Sequence, residues 1–111
     1  MAKVARPHSP YAKDAAVLLG QLIKQARIRQ KMTANELADR AGLSRGLLRR
    51  VERGDLGCTI GAVFEASAIA GVRLFDADQT ALTNAIASNA AVMTLLPKAI
   101  HTHRVKVDDD F

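Results

Sequence analysis

The 111-residue chain is 49% hydrophobic and 24% charged, with 16 Lys and Arg against 11 Asp and Glu and only four aromatic residues. That length fits one small domain with appendages, the apolar content excludes a chain too polar to pack, and no run approaches the ~18 apolar residues of a membrane span. Charge is uneven: residues 1–31 carry seven Lys and Arg against Asp14 alone, whereas residues 58–97 carry Arg73 against three acids. A polyanionic partner is therefore expected at the first half of the chain.

Residues 1–9 lack periodicity and are expected to form a flexible basic N-terminal arm. The opening MAKVARPHSPYAKD has no apolar run ending at a small-residue cleavage site, so no secretory signal is expected. Ser9 followed by Pro10 is a helix start, a capping hydroxyl ahead of a proline in the first turn. Leu18, Leu19, Leu22, Ile23 and Ala26 then recur at helical spacing and predict an inward stripe running to about Lys31. Thr33 with Glu36 three residues on is a capping-box pattern. It opens a short helix with Leu37, Ala38 and Ala41 inward and Gly42 as its stop. Ser44 caps a third helix over residues 45–53, with Leu48 and Val51 inward and Gly54 as the stop.

The loop Asp55-Leu56-Gly57-Cys58 follows. Cys58 is the single cysteine, so no intrachain disulfide is available, and a reducing cytoplasm is the expected location. Thr59 caps a fourth helix with a predicted stripe of Ile60, Val63, Phe64, Ser67 and Ala68, closed by Gly71. Asp76 or Asp78 starts a fifth, with Leu82, Ile86, Ala90 and Met93 on one face and Pro97 as its end. Beyond it, His101, His103, Val105 and Val107 alternate with Thr102, Arg104 and Lys106, predicting an extended tail. The fold class is all-α. The divisions are an arm at 1–9, a helical domain at 10–75, a C-terminal helix at 76–96 able to dimerise, and a tail at 97–111.

Two short helices across a tight glycine turn form a helix-turn-helix unit. The stretch LGQLIKQARIRQKMTANELADRAGLSRGLLRRVERGD resembles the Xre or Cro/cI-type, lambda-repressor-like DNA-binding domains, and the likeness runs from Leu19 to about Leu74. The resemblance implies a five-helix domain whose third helix enters the major groove, bound as a homodimer to a palindromic operator. Carried over by position, it implies base contacts from Arg45, Gly46, Arg49 and Arg50. Arg45 and Arg50 are the expected readers, because a guanidinium fork matches the O6 and N7 acceptors of guanine. Arg49 also reaches phosphate, and Gly46 lets the backbone approach closely. Thr33, Asn35, Ser44 and Arg53 are expected on phosphates, with Asn35 compensating for Ala34 where relatives often have Gln. Leu47 divides between partial core and contact with a thymine methyl. Arg27 and Glu52 match a structural salt bridge joining the first and third helices in relatives.

The run ERGDLGCTIG, the Leu96-Pro97-Lys98 step and the basic stretch ending in Val-Asp-Asp-Asp-Phe are similar to a subgroup found beside HipA-like kinase toxins. This implies an antitoxin that represses its own operon and contacts the toxin through its C-terminal tail. The alternatives are a solitary or phage-type regulator and a protein-interaction adaptor on the same fold.

No catalytic machinery is expected. His101 and His103 lack the third ligand that zinc requires. Asp108, Asp109 and Asp110 lack the spacing of a calcium loop, and Cys58 lacks a nearby base. No cofactor or metal is expected, and the expected location is cytoplasmic and nucleoid-associated.

Overall fold

The computed structural model describes residues 7–100, so the remainder of the basic arm and the segment from His101 to Phe111 lie outside the described residues. Five α-helices and no strand occur among the described residues: α1 (Pro10–Arg29), α2 (Ala34–Ala41), α3 (Arg45–Glu52), α4 (Ile60–Ala70) and α5 (Gln79–Met93). The architecture is all-α and of the lambda-repressor-like kind. Every helix starts at a side-chain cap. Ser9, Thr33, Ser44, Thr59 and Asp78 each accept a bond from a backbone amide three residues on, satisfying one donor that helix geometry leaves without a partner.

The chain divides into two units between Asp76 and Ala77. In the first unit, Ile23, Leu37, Leu48 and Ser67 are the largest fully buried side chains, joined by Met32, Val51, Ala38, Ala66 and Ala70. Burying each of the three large aliphatics contributes ~1.5–3 kcal/mol before entropic costs.

α1 is turned relative to the predicted stripe. Ile23 and Gly20 are buried, whereas Leu18 and Leu22 are 55% and 40% exposed. The reason is Gly20: a Cβ there would lie 2.6 Å from the carbonyl oxygens of Val51 and Glu52, so the bare backbone of α1 meets the end of α3. Gly54, at φ +79°, likewise sits where a Cβ would come within 2.6 Å of Val17 Cα. The α1 helix also ends earlier than the expected Lys31. Gln30 is its C-cap, Lys31 turns to φ 59°, and Met32 drops into the core.

α4 corrects the second predicted stripe. Ile60 is 69% exposed and Ala68 is exposed, while Ala62, Ala66 and Ala70 are buried beside Ser67. Alanines at i, i+4 and i+8 form a narrow seam on one face. Val63 and Phe64 flank it half-buried, and the side chain of Gln30 donates to the Ala70 carbonyl.

A 3-10 turn at Leu74–Asp76 precedes the second unit, with Phe75 and Asp76 at φ 56° and 52°. Asp78, and not Asp76, caps α5. The helix stops at Met93, short of Pro97. Leu95 and Leu96 bond three residues back, to Val92 and Met93, tightening the chain into turns. Leu96 also precedes a proline, which disfavours helical backbone. No residue of α5 is buried, and Ile86, Val92 and Met93 are 69%, 53% and 67% exposed.

Candidate nucleic-acid interface

The unit that presents the site is α2, a three-residue turn and α3. Gly42 caps α2 in the left-handed region at φ 72°, which an L side chain adopts with strain, and Ser44 immediately begins the next helix. The Ser44 side chain accepts from Leu47 N at 3.1 Å. At the start of α2, Thr33 Oγ1 accepts from Glu36 N at 3.0 Å and Glu36 Oε1 accepts from Thr33 N at 2.7 Å, closing both halves of the capping box. Hydrogen bonds from the Thr33 backbone amide and the Thr33 side chain hold the Glu36 carboxyl below its ordinary pKa, with Arg40 adding a smaller charge effect.

α3 is held from behind by its apolar residues and by an ion pair. Leu48 and Val51 are buried at 1% and 3% exposure. Arg27 Nε donates to Glu52 Oε2 at 2.8 Å and Nη2 to Oε1 at 3.1 Å, while Nη1 reaches the Met32 carbonyl at 3.1 Å. Both side chains are about nine-tenths buried. One guanidinium thus ties α1, the α1–α2 turn and α3 together through its fixed fork.

With those residues inward, Arg45, Gly46, Arg49 and Arg53 are exposed, and Leu47 and Arg50 are half-buried. Arg53 is the C-cap of α3, one residue past the helix. Space around a Cβ at Gly46 is open to 4 Å, so no packing demand explains a glycine in this first turn. Among the described residues, Arg45, Arg49 and Arg53 have no ion pair or side-chain hydrogen bond, in contrast to Arg50, whose Nε donates to Asp55 Oδ2 at 2.8 Å. The Arg50 bond and the Gly57 amide lower the Asp55 pKa, and the same bond raises that of Arg50.

Thr33 and Asn35 are exposed at the start of α2, and Ser44 is exposed at the start of α3. The Thr33 and Ser44 oxygens are occupied as acceptors, yet the Ser44 hydroxyl retains its hydrogen for donation. The Glu36 carboxylate stands at the α2 N-terminus, where it already complements the helix dipole.

Two residues on this surface were not singled out by sequence reasoning. Lys24 of α1 lines a recess of about 220 Å³ with Arg45, Arg49 and Ala34, which the Arg27–Glu52 pair also lines, adding a cation beside α3. Its position one helical turn before Arg27 on α1 is the signal that places it there. The other is Asp55, whose partner becomes evident only once the chain turns at Gly54.

A helix-turn-helix domain model matches residues 18–79, more than half of the chain. The chain belongs to the helix-turn-helix domain family. The matched span covers the latter part of α1, the whole of α2 to α4 and the start of α5. Membership in this helix-turn-helix family, with basic side chains on the outward face of α3, makes the protein a DNA-binding regulator. No curated protein matches the sequence. Among the described residues, no helix is long and apolar enough to cross a membrane, and no three His, Cys, Asp or Glu side chains gather to hold a metal.

Proposed function

We propose that the protein is a sequence-specific transcriptional repressor that binds a palindromic operator as a homodimer and has no catalytic activity. The observation that carries this reading is the contrast between the two faces of α3. Leu48, Val51 and the Arg27–Glu52 pair anchor one side, while Arg45, Arg49 and Arg53, without an ion pair among the described residues, occupy the other. Arg45 and Arg50 read guanine, Arg49 lies on base edge or phosphate, Gly46 admits the backbone, and Thr33, Asn35, Ser44 and Arg53 bind phosphate.

The exposed apolar side chains of α5, Ile86 and Met93 among them, support pairing with a second copy. The two recognition helices of such a dimer lie about one helical turn, ~34 Å, apart. Within the Xre-like group, ERGDLGCTIG and Leu96-Pro97-Lys98 favour an antitoxin that represses the operon of a HipA-like kinase toxin. Such a protein acts in the cytoplasm, at the nucleoid.

The test is binding of the purified protein to DNA upstream of its own gene, at two salt concentrations and against random competitor. Tight binding that survives competitor is the expected result. Binding that collapses with salt and shows no preference rejects specific repression, because phosphate contacts alone behave that way. For the antitoxin role, deleting residues 97–111 is expected to leave operator binding intact while neutralisation of a co-expressed HipA-like kinase weakens. Intact neutralisation rejects contact through the tail.

A further inference from the structure

Arg50 differs from the other arginines of the recognition helix, because its guanidinium is held by a residue outside that helix. Asp55 Oδ2 accepts from Arg50 Nε, while Oδ1 accepts from the backbone amide of Gly57 at 2.7 Å. The carboxylate therefore grips the arginine through one oxygen and the loop through the other. It does not close the two-bond fork in which a carboxylate occupies Nε and Nη2 together.

Gly57 contributes through the side chain it lacks. A Cβ there would lie 3.0 Å from Arg50 Nη2 and 3.1 Å from Asp55 Oδ1. The absence of that carbon leaves the guanidinium edge uncovered. The pair stays substantially solvent-accessible, with side chains 43% and 36% exposed, so the head group is oriented without being sequestered.

We propose that Asp55 is a specificity-determining positioning residue: it fixes Arg50 by Nε so that the Nη groups meet the O6 and N7 acceptors of a guanine in the operator. The proposal rests on the reading of α3 as the helix that enters the major groove. An unrestrained arginine must order a long side chain when it binds, and a guanidinium already held in plane loses less freedom in forming two parallel bonds. The geometry also separates orientation from attraction. Asp55 is an anion beside the DNA surface, so it weakens phosphate attraction for every sequence while sharpening the choice of base at one position.

Full-length protein is used to select binding sites from a randomised duplex pool, and the selected duplex and its single-base variants are then titrated. Wild type is expected to enrich a consensus containing a guanine whose preference disappears in R50A. In D55N, the Asn carbonyl still accepts from Gly57, but an amide group that cannot accept replaces the oxygen that held Nε. D55N is expected to reduce discrimination at that guanine roughly fivefold or more, with preferences elsewhere in the site retained and random-sequence binding equal or tighter. Added to R50A, D55N is expected to change no preference further. G57A, which crowds the same head group from the loop side, is expected to lose preference at the same base pair.

A D55N protein that keeps the wild-type preference at that guanine overturns the proposal and leaves the DNA reading standing. So does a D55N protein that tightens on selected and random DNA by one common factor, since Asp55 then acts only as a repelling charge. Loss spread evenly over all positions marks a loop support and also overturns it. A wild-type protein that enriches no consensus removes the groove-reading role of α3, and the proposal with it.

Discussion

Replacing Gly20 by Ala tests how α3 is seated. The added carbon would stand 2.6 Å from the Val51 and Glu52 carbonyl oxygens, against the 3.4 Å at which ordinary contact begins, and neither obstacle is a side chain able to rotate away. Restoring contact distance requires α1 and the end of α3 to separate by about 0.8 Å in a region packed to crystal-like density. Overpacking of this kind costs ~1–3 kcal/mol, and rigid backbone on the far side favours the upper half of that range. Alanine offsets ~0.5–1 kcal/mol by its better helix propensity. The net loss is therefore about 1–2.5 kcal/mol, which lowers Tm by roughly 4–20 °C in a domain of this size.

Thermal unfolding followed by circular dichroism measures the change, with Gly46→Ala as the control. The Gly46 position has open space around it, so G46A is expected to gain up to ~1 kcal/mol of stability while specific DNA affinity falls. The same chemical change thus gives opposite stability effects at two positions. A G20A protein melting at or above the wild-type temperature would refute the packing argument. A G46A protein that binds operator as tightly as wild type would refute close approach at that residue.

The Arg27–Glu52 pair gives a second expectation. Glu52→Gln leaves a guanidinium about nine-tenths buried with half of its fork unpaired, and such a break costs ~3 kcal/mol or more. The double variant R27M/E52M is expected to recover most of that loss, and denaturant titration of the single and double variants checks it. A third concerns acid: the folded-state pKa values of Glu36 and Asp55 both lie below their unfolded values. Their stabilising contribution is therefore complete above the ordinary carboxylate pKa and is lost as pH falls through the depressed folded values. Glu36→Gln, which keeps an acceptor for the Thr33 amide, is expected to flatten the acid limb of the stability curve; an unchanged limb would contradict the capping-box contribution. A fourth is that Thr33→Ala lowers stability by about 1 kcal/mol, read from the same melts.

Local chemistry made much of this fold readable in the sequence. The hydroxyls at Ser9, Thr33, Ser44 and Thr59 meet backbone amides three residues away, and that bond needs no information from the rest of the chain. Leu48 and Val51 followed from helical spacing, and with them the exposure of Arg45, Gly46 and Arg49. Side-chain size misled the reading of α1 and α4. Ranking positions by hydrophobicity favoured Leu18, Leu22 and Ile60, whereas the helices approach through Gly20 and through Ala62, Ala66 and Ala70, where smallness is the qualification. Close approach depends on what lies opposite, and a single helix does not encode that. Asp55 was passed over for a related reason: a loop acid five residues past Arg50 becomes its partner only after the helix ends and the backbone reverses at Gly54.

The absence of an ion pair at Arg45, Arg49 and Arg53 among the described residues also bears on what a substitution at each position disturbs. Among the described residues their side chains hold nothing else, so each of the three positions can change by a single substitution without disturbing the scaffold behind it. Position 50 has no such freedom. A new residue there inherits a carboxylate without its cation and a glycine whose empty side is no longer needed, so a change at 50 alters what 55 and 57 face. A substitution at Arg45, Arg49 or Arg53 is therefore confined to the outward face, whereas one at Arg50 also changes the loop behind it.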